Sequence, residues 1–239
     1  MPRTVSRRPF GACAVIFAAL AATQAVWPAS ELQQVLANFD RVQRSIGTLT
    51  ADFTETTRST LLKHEIVAHG KIFLTKPSSV RWEYSAPEEM RFVIADDQYT
   101  GYFPLRKQAE RRDVRRWGEQ LFRFLGLGQA SDELAKFYDI SLQNDTGSDA
   151  NTVVLVLDPK KKRVRKRMES VQFWVDQRTW LPVRVQYTGA QGDTRLVEFE
   201  EMTINPTLAA SLYVVELPPD VEVSRGFSAL SGVGDPSDR

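Results

Sequence analysis

Residues 70–103, GKIFLTKPSSVRWEYSAPEEMRFVIADDQYTGYF, read as a strand meander punctuated by its own turns. Lys76-Pro77 ends the first strand, IVAHGKIFLT (66–75), because proline has no N–H to give to a ladder. In the second strand Val80, Trp82 and Tyr84 alternate with Arg81 and Glu83, so one face is apolar and aromatic and the other charged. Ala86-Pro87 and Asp96-Asp97 mark the next two turns, around RFVIADD and before QYTGYFP (98–104). Turns every ten to fifteen residues fit an antiparallel sheet. The stretch holds no catalytic pattern, which poses the question of what the aromatic face meets.

Upstream, Leu32, Val35, Leu36, Phe39, Val42 and Ile46 recur at helical spacing. Ser30 and Gln33 form a capping box ahead of them, and Gly47 supplies the stop. This predicts an amphipathic helix lying on something larger. Leu49, Ala51 and Phe53 then alternate with threonines as a strand. Downstream, 116–128 and 131–137 read as two short helices, the second N-capped by Ser131. Strands resume at 138–144, 152–159, 169–176, 181–189 and 195–204. The expected fold is mainly β (α+β): an unclosed antiparallel barrel or curved sheet of about ten strands, with the N-terminal helix and a helical lid.

Residues 1–25 have the layout of a cleaved signal peptide: Arg3, Arg7 and Arg8, then an apolar run from Phe10 to Ala22 too short to span a bilayer comfortably. Residues 26–225 read as one domain, and the Gly- and Ser-rich segment 226–239 as a disordered tail. Cleavage after Ala25 would remove three arginines and no acid, moving the net charge from +1 to −2. It would also remove Cys13, the single cysteine, and with it disulfide, thiol and Cys–metal chemistry. With 26% charged and 42% hydrophobic residues, the chain as a whole reads as an ordinary globular protein, not as a disordered or multi-span membrane chain.

Sites for chemistry are sparse. The two histidines of HEIVAH, His64 and His69, are five apart on a strand-like segment, whereas a zincin needs two at i and i+4 on a helix. Nucleophile-elbow, Walker and dinucleotide fingerprints are missing from the sequence. A glycosidase-like pair among the many carboxylates stays open, with nothing to mark two of them. Two basic runs stand out: Arg106, Lys107, Arg111, Arg112, Arg115 and Arg116, and KKKRVRKR at 160–167. An exported, net-acidic chain argues against nucleic acid as their partner. They read as solvated loops or as a patch for anionic headgroups or an acidic partner. Leu121, Phe122, Phe124, Leu125 and Leu127, bracketed by Gly118, Gly126 and Gly128, suit either core packing or a flap over an apolar cavity.

Taken in order, LTADFTET, GKIFLTKPSSVRWEYSAPEE, FVIADD, YFPLRKQ, FWVDQRTWLPVRVQY and LPPDVEV resemble the LolA-like periplasmic lipoprotein carriers over residues 30 to 225. The resemblance implies a carrier that takes acyl chains of lipoproteins from an inner-membrane ABC-type release complex to an outer-membrane acceptor, such as a LolB-like receptor. It implies a periplasmic monomer that is not an enzyme and uses no cofactor, metal or nucleic acid. On this resemblance the cavity would be lined by Phe73, Val80, Trp82, Tyr84, Phe92, Ile94, Leu121, Phe122 and Leu125. Lys76 stands where the family often has an arginine that latches the lid, and lysine lacks the planar fork of donors. Carriage of free lipid or glycolipid, a lipid-binding envelope sensor, and an enzyme on a lipidic substrate are the alternatives.

Overall fold

In the computed structural model, the described residues are 29–115, 127–143 and 150–225. The expected signal peptide (1–25), the expected tail (226–239) and the expected lid residues Leu121, Phe122 and Leu125 lie outside them.

The periodic segments form the elements they announce. Helix α1 (Ala29–Ser45) opens the fold and turns its stripe inward, with Val35 and Phe39 buried and Ile46 buried just past its end. Five strands follow: β1 (Thr48–Arg58), β2 (Ile66–Thr75), β3 (Ser79–Ala86), β4 (Met90–Ala95) and β5 (Gln98–Phe103). Asp96 and Asp97 both take positive φ, the two-residue turn whose twist matches a tight hairpin. Then come β6 (Gln108–Asp113), the short helix α2 (Ser131–Ala135), β7 (Tyr138–Gln143) and β8 (Thr152–Pro159). A single helical turn, α3 (Lys162–Arg165), leads to β9 (Met168–Asp176), β10 (Leu181–Gly189), β11 (Thr194–Ile204) and β12 (Glu222–Ser224).

The twelve strands of the described residues join one curved, unclosed sheet in the order β12-β6-β5-β4-β3-β2-β1-β11-β10-β9-β8-β7. Every pairing is antiparallel except β12 with β6. One face carries the core: Leu49, Ala51 and Phe53 from β1, Ile72 and Leu74 from β2, Leu155 and Leu157 from β8, Phe173 from β9 and Val185 from β10, under α1, Leu127 and Leu134. Each large apolar side chain buried there contributes roughly 1.5–3 kcal/mol.

Three expectations need correcting. The basic stretch after Pro104 contains β6, whose Gln-Ala-Glu-Arg-Arg-Asp sequence has one apolar residue; the ladder to β5 holds it, with Ala109 buried. With β12, this raises the strand number above the expected ten. Ser131 is not an N-cap: Ala130 holds that position, and the Ser131 hydroxyl donates to Asp40 instead, at 2.8 Å.

Candidate functional site

The register decides which of the expected wall residues share a face. Val80, Trp82 and Tyr84 stand opposite Ile94, Phe92 and Met90 on β4, and opposite Leu74, Ile72 and Gly70 on β2. Val80, Trp82, Tyr84, Phe92 and Ile94 therefore lie together on the core side. Phe73 does not. It pairs with Arg81 on the outer face, where Arg81 donates to the Leu212 carbonyl of the C-terminal crossing at 2.8 Å. Parity is the cause: three residues between Thr75 and Ser79 put Thr75, Phe73 and Lys71 opposite Ser79, Arg81 and Glu83, the polar side of β3.

The inner face also gathers aromatics from strands outside the meander. Phe53 packs against Trp82 (centroids 4.8 Å apart) and edge-on to Tyr84 (5.1 Å), and Trp82 meets Phe199 at 6.4 Å. Phe92 continues the row to Tyr84, Tyr99 and Phe103. A glycine makes room for this. A Cβ on Gly70 would lie 1.9 Å from the Glu83 carbonyl oxygen and 2.6 Å from the Phe53 ring. Trp82, Met90, Phe92 and Ile94 remain half-buried, so this part of the wall is the less covered one. Six ring contacts at favourable geometry stiffen the face without closing it.

Toward one end of the sheet the apolar wall stops at a polar cluster. Glu55 extends the inward series of Ala51 and Phe53, and Arg195 that of Val197 and Phe199. The Arg195 guanidinium donates to Glu55 Oε2 at 2.7 Å and to the Tyr84 hydroxyl at 2.8 Å, and Tyr84 in turn donates to Glu55 at 2.8 Å. Burial alone would lower the Arg195 pKa, but Tyr84 and Glu55 outweigh it and hold the group above its ordinary range. Arg195 is thus a fixed cation inside the fold. Burial pushes the Tyr84 phenol up, and Tyr187, across the ladder from Arg195, is raised for the same reason. Two donors in this region, Arg195 Nε and Trp82 Nε1, are buried without a hydrogen-bond partner among the described residues. Sequence reading missed this cluster. The one signal for it was a carboxylate continuing an apolar alternation in ADFTETT.

At the opposite end, Lys76 reaches into the fold and donates from Nζ to the Gln43 carbonyl at 2.6 Å. That carbonyl belongs to the last turn of α1, where acceptors lack helical partners and the dipole favours a cation. Burial lowers the Lys76 pKa. The Gln43 side chain is fully buried; its oxygen accepts from Gly128 N at 2.7 Å, and its nitrogen donates to the Trp180 carbonyl at 3.3 Å. Asp40 accepts from Ser131 N and Oγ. Asn205 completes the ties by bonding Gly47 N, Thr48 N and the Ser45 carbonyl. A cleft of about 300 Å³ lies between Lys76-Pro77, Arg44 and residues 127–133.

Residues 44–216 match the family described as outer membrane lipoprotein carrier protein LolA. The chain belongs to the LolA family. No curated protein matches it by sequence. Among solved structures, an uncharacterized conserved protein from Thermus thermophilus is similar at 14% identity and a TM-score of 0.52, over 81% of this chain and 98% of that one. A LolA superfamily protein from Nitrosomonas europaea gives 11% identity and 0.42, over 77% and 97%. The Mycobacterium tuberculosis lipoprotein LppX gives 10% and 0.43, over 76% and 99%. The Thermus likeness concerns the fold alone. A LolA-family fold is one for binding and carriage, and on this unclosed sheet two rings of the wall, Trp82 and Phe92, stay half-buried while Phe53, Tyr84 and Phe199 are buried.

Proposed function

We propose that the inner face binds acyl chains of lipoproteins, and that the protein ferries them through the periplasm from an inner-membrane ABC-type release complex to an outer-membrane acceptor. The observation that supports this most is the aromatic row from Phe199 through Trp82 to Phe103 on the core side of a LolA-family sheet, in which Trp82 and Phe92 stay half-buried. Each methylene laid on such a wall gains about 0.8 kcal/mol, so a long chain binds without polar contacts. Val80, Trp82, Tyr84, Phe92 and Ile94 form the wall in this reading, and Lys76 holds the closed form through α1. The Glu55–Tyr84–Arg195 cluster marks the polar end, where the free N–H groups of Arg195 and Trp82 meet ester or amide carbonyls of the acylated terminus.

The test is a release assay. Cells stripped of outer membrane are incubated with the purified protein, and the soluble fraction is analysed for acylated proteins and lipids. Lipoprotein recovered one-to-one with the carrier is the expected result. Free lipid alone would shift the function to lipid or glycolipid transport, and recovery of neither would sink the carrier reading.

A further inference from the structure

The wall leaves the longest basic run unused. The topology brings five connections to one end of the sheet: β1–β2, β3–β4, β5–β6, β8–β9 and β10–β11. The β8–β9 connection is Lys160–Arg167, with seven cations in eight residues, wound around α3 and exposed at every position but Val164. Lys160 is engaged with Asp139 and the Ala135 carbonyl, and the Arg167 carbonyl accepts from Ala190 in the β10–β11 turn. Lys161, Lys162, Arg163, Arg165 and Lys166 make no ion pair among the described residues. Several acids at this end are already paired: Glu65 with Arg58, Glu88 with Arg106, Glu89 with Arg91 and Asp220 with Lys107. Asp158 and Glu169 flank the run but leave it strongly positive.

The same end carries apolar side chains on convex tips. Leu61 in the β1–β2 loop is 88% exposed, beside Leu62, Lys63 and His64, and Leu105 between β5 and β6 is 76% exposed. Three strand spacings separate β1 from β9 on one side and β2 from β5 on the other, about 14 Å each way. Leucines on protruding tips next to unpaired cations suit a bilayer, whose headgroups meet the charge while its interface takes in single apolar side chains. A protein partner would call for a contiguous apolar patch, and these tips are separate.

We propose that this end of the sheet is a docking surface for anionic lipid headgroups of a membrane, with Lys161, Lys162, Arg163, Arg165 and Lys166 supplying the attraction and Leu61, Leu62 and Leu105 the shallow insertion. The proposal stands independently of the acyl-carrier reading, since none of these residues lies on the aromatic wall.

Co-sedimentation of the full chain tests it, with vesicles of phosphatidylcholine alone or one-third phosphatidylglycerol. The apolar run at 10–22 is common to every arm and cancels from the comparison. The chain should pellet with the anionic vesicles, less so as salt screens the charges. One cation near the surface is worth roughly fivefold in partitioning, so Lys161→Glu/Lys162→Glu/Arg163→Glu should lower it at least about a hundredfold. Leu61→Asp/Leu62→Asp, on a separate loop, should keep the salt-sensitive binding and lose the salt-resistant fraction. Equal pelleting with both vesicle types, or variants that bind like the parent chain, would overturn the proposal. So would retention on polyglutamate without vesicle binding, which would assign the surface to an acidic protein.

Discussion

Arg195 is the residue on which most other interactions of the wall's polar end depend. Replacing it with leucine takes the cation from the Glu55 carboxylate and leaves it the Tyr84 hydroxyl as donor, a change that costs about 3 kcal/mol where a buried pair is broken. Arg195→Leu/Glu55→Leu should recover most of that loss in urea unfolding, because two apolar groups leave no charge behind. A single variant as stable as the parent would show the pair to be solvated. The two tyrosines predict an alkaline limit. Their folded pKa values lie above the ordinary 10.0, so the unfolded chain sheds protons first as the pH rises. Stability from this source is full below pH 10.0 and falls above it, toward the folded values. Absorbance titration should show late phenols that ionise with unfolding, Tyr84 and Tyr187 joined by Tyr213, which burial also raises; six ordinary tyrosines would contradict it. Of this cluster the sequence marked only Tyr84, as a wall residue; its pairing with Glu55 and Arg195 was not legible, since the members come from β1, β3 and β11, 29 and 140 positions apart.

At the scale of elements, alternation and turn chemistry carried the reading far. β2, β8 and β10 begin and end where the pattern places them, because each is bounded by a proline, glycine or polar turn. β6 escaped because a single alanine gives it no apolar alternation, and only the neighbouring ladder makes it a strand. Phe73 was misplaced through ring size: a large aromatic on an apolar strand invites an inward assignment, while register obeys parity. The two faces make opposite predictions. Trp82→Ala should weaken binding of a fluorescent acyl probe by one to two orders of magnitude, whereas Phe73→Ala should leave it within about twofold. Equal effects would mean that the probe binds elsewhere. Gly70→Ala should destabilise by about 1–3 kcal/mol, since its methyl must displace the Phe53 ring or the Glu83 carbonyl; differential calorimetry reads this directly.

For the whole molecule, the unclosed sheet and α1 act as two bodies joined at one end. Lys76 is the strand-side anchor of that joint, and Lys76→Leu should speed acyl-probe release by about tenfold, the equivalent of one charge-assisted hydrogen bond. Unchanged release would remove Lys76 from the mechanism. The ties gathered there, through Asp40, Gln43, Ser45 and Asn205, all grip the last six residues of α1. Between α1 and the rest of the described fold, no side-chain hydrogen bond engages the helix before Asp40, so its first two-thirds rest on apolar packing alone. The helix is therefore hung like a door from its C-terminal jamb. Its free edge can swing and expose Leu32, Val35 and Leu36 without breaking a single polar tie, and amide exchange along α1 should slow steadily from that edge toward the hinge.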